Sequence, residues 1–188
     1  MAPSITRTVT AEERARYDIR LYVGVDHDDA FWLAKAKMVA TTASWVTLVV
    51  GVYTTKKHRI PFNELTQQAY DDGADYIVRV NDDTEFITRG WLTLGARTLA
   101  GFDPPNVGVV GPTCREGNVN ILTHDMVHRT HLDIFPGVYY PAVFDAWWID
   151  DWITEVYKPG RMVMAPAWVV RHHTGKHGTR YSVQHQQA

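Results

Sequence analysis

The chain has 188 residues, 45% of them hydrophobic, and a net charge of −2, which suits one domain able to bury a core without covalent staples. That balance, with no long Lys/Arg run, excludes a nucleic-acid-binding stripe, and a single cysteine, Cys114, excludes an intrachain disulfide or a cysteine-based zinc site. No apolar run reaches the length of a membrane span and residues 1–17 lack the apolar core of a signal peptide, so a soluble, cytoplasmic protein is expected.

Thr10 followed by Glu13 has the form of a capping box and predicts a short helix over Ala11 to Arg16. A strand follows over Ile19 to Val25, then a helix with Phe31, Lys35, Met38, Val39 and Thr42 at helical spacing. Trp45 to Tyr53 is nearly all apolar and is expected as a central strand covered on both faces. After the basic Lys56-Lys57-His58-Arg59, Pro61 opens a helix with Phe62, Leu65 and Ala69 inward, closed by Asp72-Gly73. Tyr76 to Val80 is the third strand, and this alternation argues for a parallel sheet.

Thr88 is the expected cap of a helix bearing Trp91, Gly95 and Leu99 on one side; Asp103-Pro104-Pro105-Asn106 breaks it, and Val107 to Val110 forms a strand ending at Gly111-Pro112. Residues 118–133 carry no clear pattern. Ile134 to Phe144, interrupted by Pro136-Gly137 and Pro141, reads as an irregular strand rather than a helix. A helix from Trp147 to about Tyr157 and a last strand, Met162 to Val170, precede a polar tail from Lys176.

Three features at the ends of apolar segments carry chemical interest. Asn81-Asp82-Asp83, with Glu85 just beyond, crowds acids after a buried strand; carboxylates so placed need a cation or solvent, and an isolated turn of this kind is as readily a solvated one. Asp150-Asp151 stands among Trp147, Trp148 and Trp152, where acids also simply favour a helix N-terminus and tryptophans serve core packing or sugar faces alike. His172-His173 follows the last strand, and neighbours in an extended chain point to opposite sides, so one ion would take only one of them.

In that order the three features resemble the GT-A class of nucleotide-sugar glycosyltransferases, with an acidic turn after a strand, an acidic motif opening a later helix and a histidine near the end; the chain is also similar to small chlorella-virus glycosyltransferase domains. The resemblance implies an α/β fold: a single GT-A-like, Rossmann-type domain whose mixed, mainly parallel central sheet is flanked by helices. It implies a nucleotide-sugar-binding part over about 18–110 and an acceptor-binding and catalytic part over about 111–175. The activity implied is transfer of a hexose from a UDP-sugar to a glycan or glycoprotein acceptor, with Mn2+ or Mg2+ as cofactor.

By the same resemblance, Asp83 and His172 would hold the metal, with His172 preferred over His173. Asn81 stands where the family commonly has an Asp, leaving Asp82 or Glu85 as helpers. Gly24, Asp26, Arg59, Arg79, Asn81 and Asp82 would line the nucleotide, Gly24 by permitting close approach. Asp151 would act as general base of an inverting transfer and Asp150 would bind the acceptor beside it, with Trp147 and Trp148 walling the acceptor sugar. Lys176 and Arg180 serve the diphosphate or only solvate a tail. His124, His128 and His131 receive no role. A metal-dependent hydrolase or phosphotransferase, using the same acids, and a carbohydrate-binding module, using only the tryptophans, are the competing readings.

Overall fold

Thr10 begins the first segment whose structure follows directly from local chemistry. Its hydroxyl accepts the Glu13 amide at 3.2 Å while the Glu13 carboxylate accepts the Thr10 amide at 3.0 Å, so the predicted capping box is formed. The computed structural model describes residues 1–35, 43–54, 60–116, 118–144 and 147–174. In chain order the elements are α1 (Ala2–Thr8), α2 (Ala11–Arg16), β1 (Ile19–Asp26), α3 (Ala30–Lys35), β2 (Val46–Tyr53), α4 (Phe62–Asp71), β3 (Tyr76–Arg79), β4 (Thr84–Phe86), α5 (Trp91–Ala100), β5 (Val109–Cys114), β6 (Asp125–His128), α6 (Thr130–Ile134), α7 (Ile149–Val156) and β7 (Met162–His172).

The protein is mixed α/β, with a curled mixed sheet and flanking helices. Five strands run in the order β3-β6-β5-β7-β4, and β1 and β2 form a separate parallel pair. Within the five-stranded sheet β5 and β7 are parallel, while β3–β6, β5–β6 and β4–β7 are antiparallel, so the sheet is not mainly parallel as expected. The connections explain this. The described residues joining β5 to β6 contain no helix, whereas a parallel neighbour requires a long crossover, here the stretch through α6 and α7 that separates β5 from β7.

Valines at consecutive positions show how the sheet serves two cores. Val110 packs with Trp91, Leu99, Met126, Trp168 and Val170 on one face, and Val109 with Val127, Tyr139, Ile149 and Ile153 on the other, as the two-residue period of a strand requires. On the first face Trp91 stacks on Trp168 with ring centroids 5.4 Å apart. Gly95 lets α5 lie flush there, since a Cβ at this position would run into Met126 and Trp168. α1 docks at the β4–α5 junction: Ser4 Oγ accepts the Phe86 amide at 2.9 Å, Thr8 Oγ1 accepts the Trp91 indole N–H at 3.2 Å, and Arg7 pairs with Glu85 at 3.0 Å.

Several local expectations change. β2 pairs with β1 alone among the described residues, and its Val52 is 54% exposed, so it is not a central, doubly covered strand. Thr88 does not cap α5. Its hydroxyl donates to Ala167 O and accepts from Val169 N, and Gly90, at a φ of +75°, takes the capping position. β5 runs through Gly111-Pro112 to Cys114, because Pro112 occupies a ladder position followed by a register shift, where its missing N–H is tolerated. Ile134 to Phe144 contains the end of α6 and turns but no strand, with Tyr139 and Tyr140 buried. Phe31 lies in α3 but is 58% exposed, and Met38, Val39 and Thr42 lie outside the described residues, as do Lys56 to Arg59 and the tail from residue 175. No helix among the described residues is long and apolar enough to cross a membrane.

A cavity of about 360 Å3 separates the two sheets, between Ile19, Leu21 and Leu48 on one side and Val78 and Val80 on the other. α4 packs on both β1 and β3 across it. Elsewhere the helices are tied by a single buried acid, since Glu13, 2% exposed, also accepts the Thr93 amide in the first turn of α5 at 2.8 Å. Glu13→Ala therefore orphans the first turns of two helices. It should lower the unfolding free energy in urea by about 2 kcal/mol, and Glu13→Gln, which keeps an acceptor oxygen, by less than half of that.

Candidate functional site

The acidic turn leaves β3 and enters β4, and the register of β4 on β7 decides what it meets. Thr84 pairs with His172 and Glu85 with Arg171, and the His173 amide donates to Asp83 O at 3.1 Å. The imidazole of His172 is thereby carried to the turn: its Nε2 stands 2.9 Å from Asp83 Oδ1 and 3.2 Å from Asn81 Nδ2. His173 turns the other way and meets Glu85 Oε2 at 3.1 Å, as the alternation of an extended chain predicts. That contact, followed by the one to Arg7, holds the Glu85 carboxyl below its usual range. Asp82 is exposed.

The sequence pattern missed His124. It lies 1% exposed behind this pair, its ring edge-on to His172 with centroids 4.9 Å apart. Its Nε2 is 2.5 Å from Thr84 Oγ1 and its Nδ1 3.0 Å from Thr123 Oγ1, so the ring backs the first residue of β4. Its only signal in the sequence was a histidine just before an unrecognised strand. His128 and His131 are structural: the former meets the edge of Tyr76, and the latter is held between Tyr157 Oη and Tyr139 O, each at 2.7 Å.

Asp83 and His172 fit a small hard cation in donor type, an acid oxygen and an imidazole nitrogen facing one point. Asp83 Oδ1 is buried against His172 Nε2, and the other nitrogen of the ring, Nδ1, is buried without a hydrogen-bond partner. Among the described residues no three His, Cys, Asp or Glu side chains converge as a metal cluster, and a cation between Asp83 and His172 would draw two donors from them. A diphosphate and water would have to complete such a shell, as they do for magnesium at phosphate sites.

Beneath the turn lies a second cluster. Arg79, the last residue of β3, has its side chain 1% exposed; its Nε donates to Asp125 Oδ2 at 2.7 Å, its Nη2 also pairs with Asp125, and its Nη1 stands 2.9 Å from Asp150 Oδ1. Tyr139 Oη donates to the other oxygen of Asp125. Burial works against the guanidinium's charge, and the charges of Asp125 and Asp150 outweigh it, so its pKa is raised. Burial raises the Asp150 pKa, against the pull of Arg79. Arg79, expected at the nucleotide, is thus a buried partner of two carboxylates, and Asp150, expected at the acceptor, is tied to it.

Trp148 precedes α7 in the left-handed region, at a φ of +72°, with its indole N–H buried and without a partner. That conformation is costly for a bulky side chain and marks functional sites. Trp147 is half-buried beside it, and Trp152 belongs to the core, edge-on to Phe135. Asp151 is half-buried in the first turn of α7. Asp26 ends β1 on the other sheet, and Gly24 makes room for α4, since a Cβ there would come within 2.9 Å of Pro61 Cγ. Arg59, Lys176 and Arg180 lie outside the described residues.

No protein-family model, curated protein or solved structure matches the chain.

Two stability measurements check this geometry. Burial first, and then the neighbouring charges of His172 and Arg79, push the pKa of His124 well below 6.5. The folded state keeps the ring neutral while the unfolded chain takes up a proton, so this stability is complete above the unfolded value and lost as pH falls below it. Urea unfolding between pH 7.5 and 5.5 should show the wild type losing up to about 1.4 kcal/mol per pH unit more than His124→Gln below pH 6.5. Arg79→Met strands the Asp125 charge and should cost about 3–5 kcal/mol, whereas Arg79→Met with Asp125→Asn should recover most of it.

Proposed function

We propose that the chain is a metal-dependent, GT-A-like glycosyltransferase that moves a hexose from a UDP-sugar to an acceptor hydroxyl with inversion. The observation that carries this reading is the meeting of Asp83 and His172 at the rim of one sheet, from segments far apart in sequence. An acid and an imidazole at the carboxyl end of a strand suit an ion shared with a diphosphate. In the finer reading of the fold, β1 and β2 extend the Rossmann-type half, and Asp26 serves the nucleoside.

Within this reading Mn2+ or Mg2+, when bound, neutralises charge on the departing diphosphate. Asp83 and His172 hold it, Asn81 orients His172 and Asp82 faces the solvent side of the donor. Asp151 accepts the proton of the acceptor hydroxyl as that oxygen attacks the anomeric carbon from the face opposite the leaving group. Trp147 and Trp148 wall the acceptor.

Calorimetric titration with UDP, with GDP and dTDP as controls, tests the donor half. UDP should bind only with manganese present, and Asp83→Ala and His172→Ala should each weaken that binding by about tenfold or more. Metal-independent binding unaffected by both substitutions would overturn the site, and glycan binding without any nucleotide binding would favour the carbohydrate-binding module. Product NMR should show an inverted anomeric centre; free sugar released faster than any transfer would mean a hydrolase.

A further inference from the structure

The two halves of the candidate site stand on different elements, the acidic turn after β3 and the carboxylate pair at the start of α7. One residue links them, by its place in the chain to the first and by its side chain to the second. Arg79 sits two residues before Asn81, and its guanidinium is fixed by Asp125 of β6 through Nε and Nη2, with Leu122 O also accepting from Nη2 at 3.4 Å. Its remaining nitrogen, Nη1, faces Asp150 Oδ1 at 2.9 Å. The fork is planar and rigid, so gripping Asp125 on one side determines where it presents Nη1 on the other.

Asp150 and Asp151 are consecutive in a helix and so project about 100° apart around its axis. Holding Asp150 toward Arg79 therefore fixes the direction of Asp151. The next polar anchor of α7 comes a full turn later, where the Leu122 amide donates to Thr154 Oγ1 at 2.9 Å, and Ile149 and Ile153 pack into an apolar core that tolerates rotation more readily than a charge pair does. Asp125 and Asp151 are the other titratable groups acting on Asp150, and Tyr139 stands against Asp125.

We propose that Arg79 is a positioning residue that sets the rotation of α7 by holding Asp150, and so aims Asp151 relative to the acidic turn. Asp151 as the base rests on the glycosyltransferase reading; the coupling of β3 to α7 through Arg79 does not. Asp150 is then a strut, and its neighbour is the group left to accept a proton.

Two variants cut the link from opposite ends without stranding the buried charge of Asp125: Asp150→Ala, and Arg79→Met combined with Asp125→Asn. Hydrogen exchange should show the α7 amides from Trp152 to Val156 opening about tenfold faster in both, while amides of β5 and β7 keep their wild-type rates. Asp150→Asn, whose amide oxygen still accepts from Arg79, should restore that protection. In turnover of UDP-hexoses the two cutting variants should lose about 100-fold in kcat with donor KM nearly unchanged, and Asp150→Asn should recover most of the loss. Unchanged α7 exchange, exchange rising equally throughout the sheet, or Asp150→Asn staying as inactive as Asp150→Ala with α7 protected would each overturn the proposal. If the wild type turns over no nucleotide sugar, the glycosyltransferase reading fails and the exchange result still decides the coupling.

Discussion

The fold depends on keeping one buried cation paired. Arg79 carries a full charge into a site where its side chain is 1% exposed, and a charge there is tolerated only when its hydrogen-bonding positions are met. Asp125 comes from β6, Asp150 from α7, and Tyr139 completes Asp125 from the loop after α6. Every one of these elements must be in place before the cluster is satisfied. The apolar cores on either face of the sheet supply the driving force, and the ion cluster makes one arrangement of them acceptable.

The candidate site follows from strand register rather than from any compact motif. Because Thr84 lies opposite His172, the residue before Thr84 and the imidazole meet. A slip of one residue would present the other face of β7 and bring His173 or Arg171 to the turn instead. His124 behind Thr84 resists such a slip, since its two ring nitrogens are both engaged by threonine hydroxyls. Apolar packing, a neutral buried ring and an acid–imidazole pair are thus successive layers of one construction, from the core outward to the solvent.

Elements whose causes are local were legible in the sequence. The capping box of α2, the apolar face of α5 and the apolar run of β7 all involve residues within a few positions of one another. Pairings across long stretches were not. Nothing near Arg79 announces that its partners are Asp125 and Asp150, and nothing in Trp45 to Tyr53 shows that so apolar a strand would have one paired neighbour among the described residues. Pro112 illustrates the same limit. Its missing N–H argues against a strand until the ladder on β7 shows a register shift directly after it. Of the candidate site, the acids and histidines could be named, but which histidine meets which acid is a property of the β4–β7 pairing.

The docking of α1 imposes an order on folding. A helix of seven residues has little stability of its own, and its polar contacts are to Glu85, Phe86 and Trp91. Those residues are in turn held in place by β4 pairing with β7, the last strand described. The helix therefore has nowhere to settle until Met162–His172 has been made and paired, so a segment can wait, unfolded, for a partner more than 150 residues further along the chain.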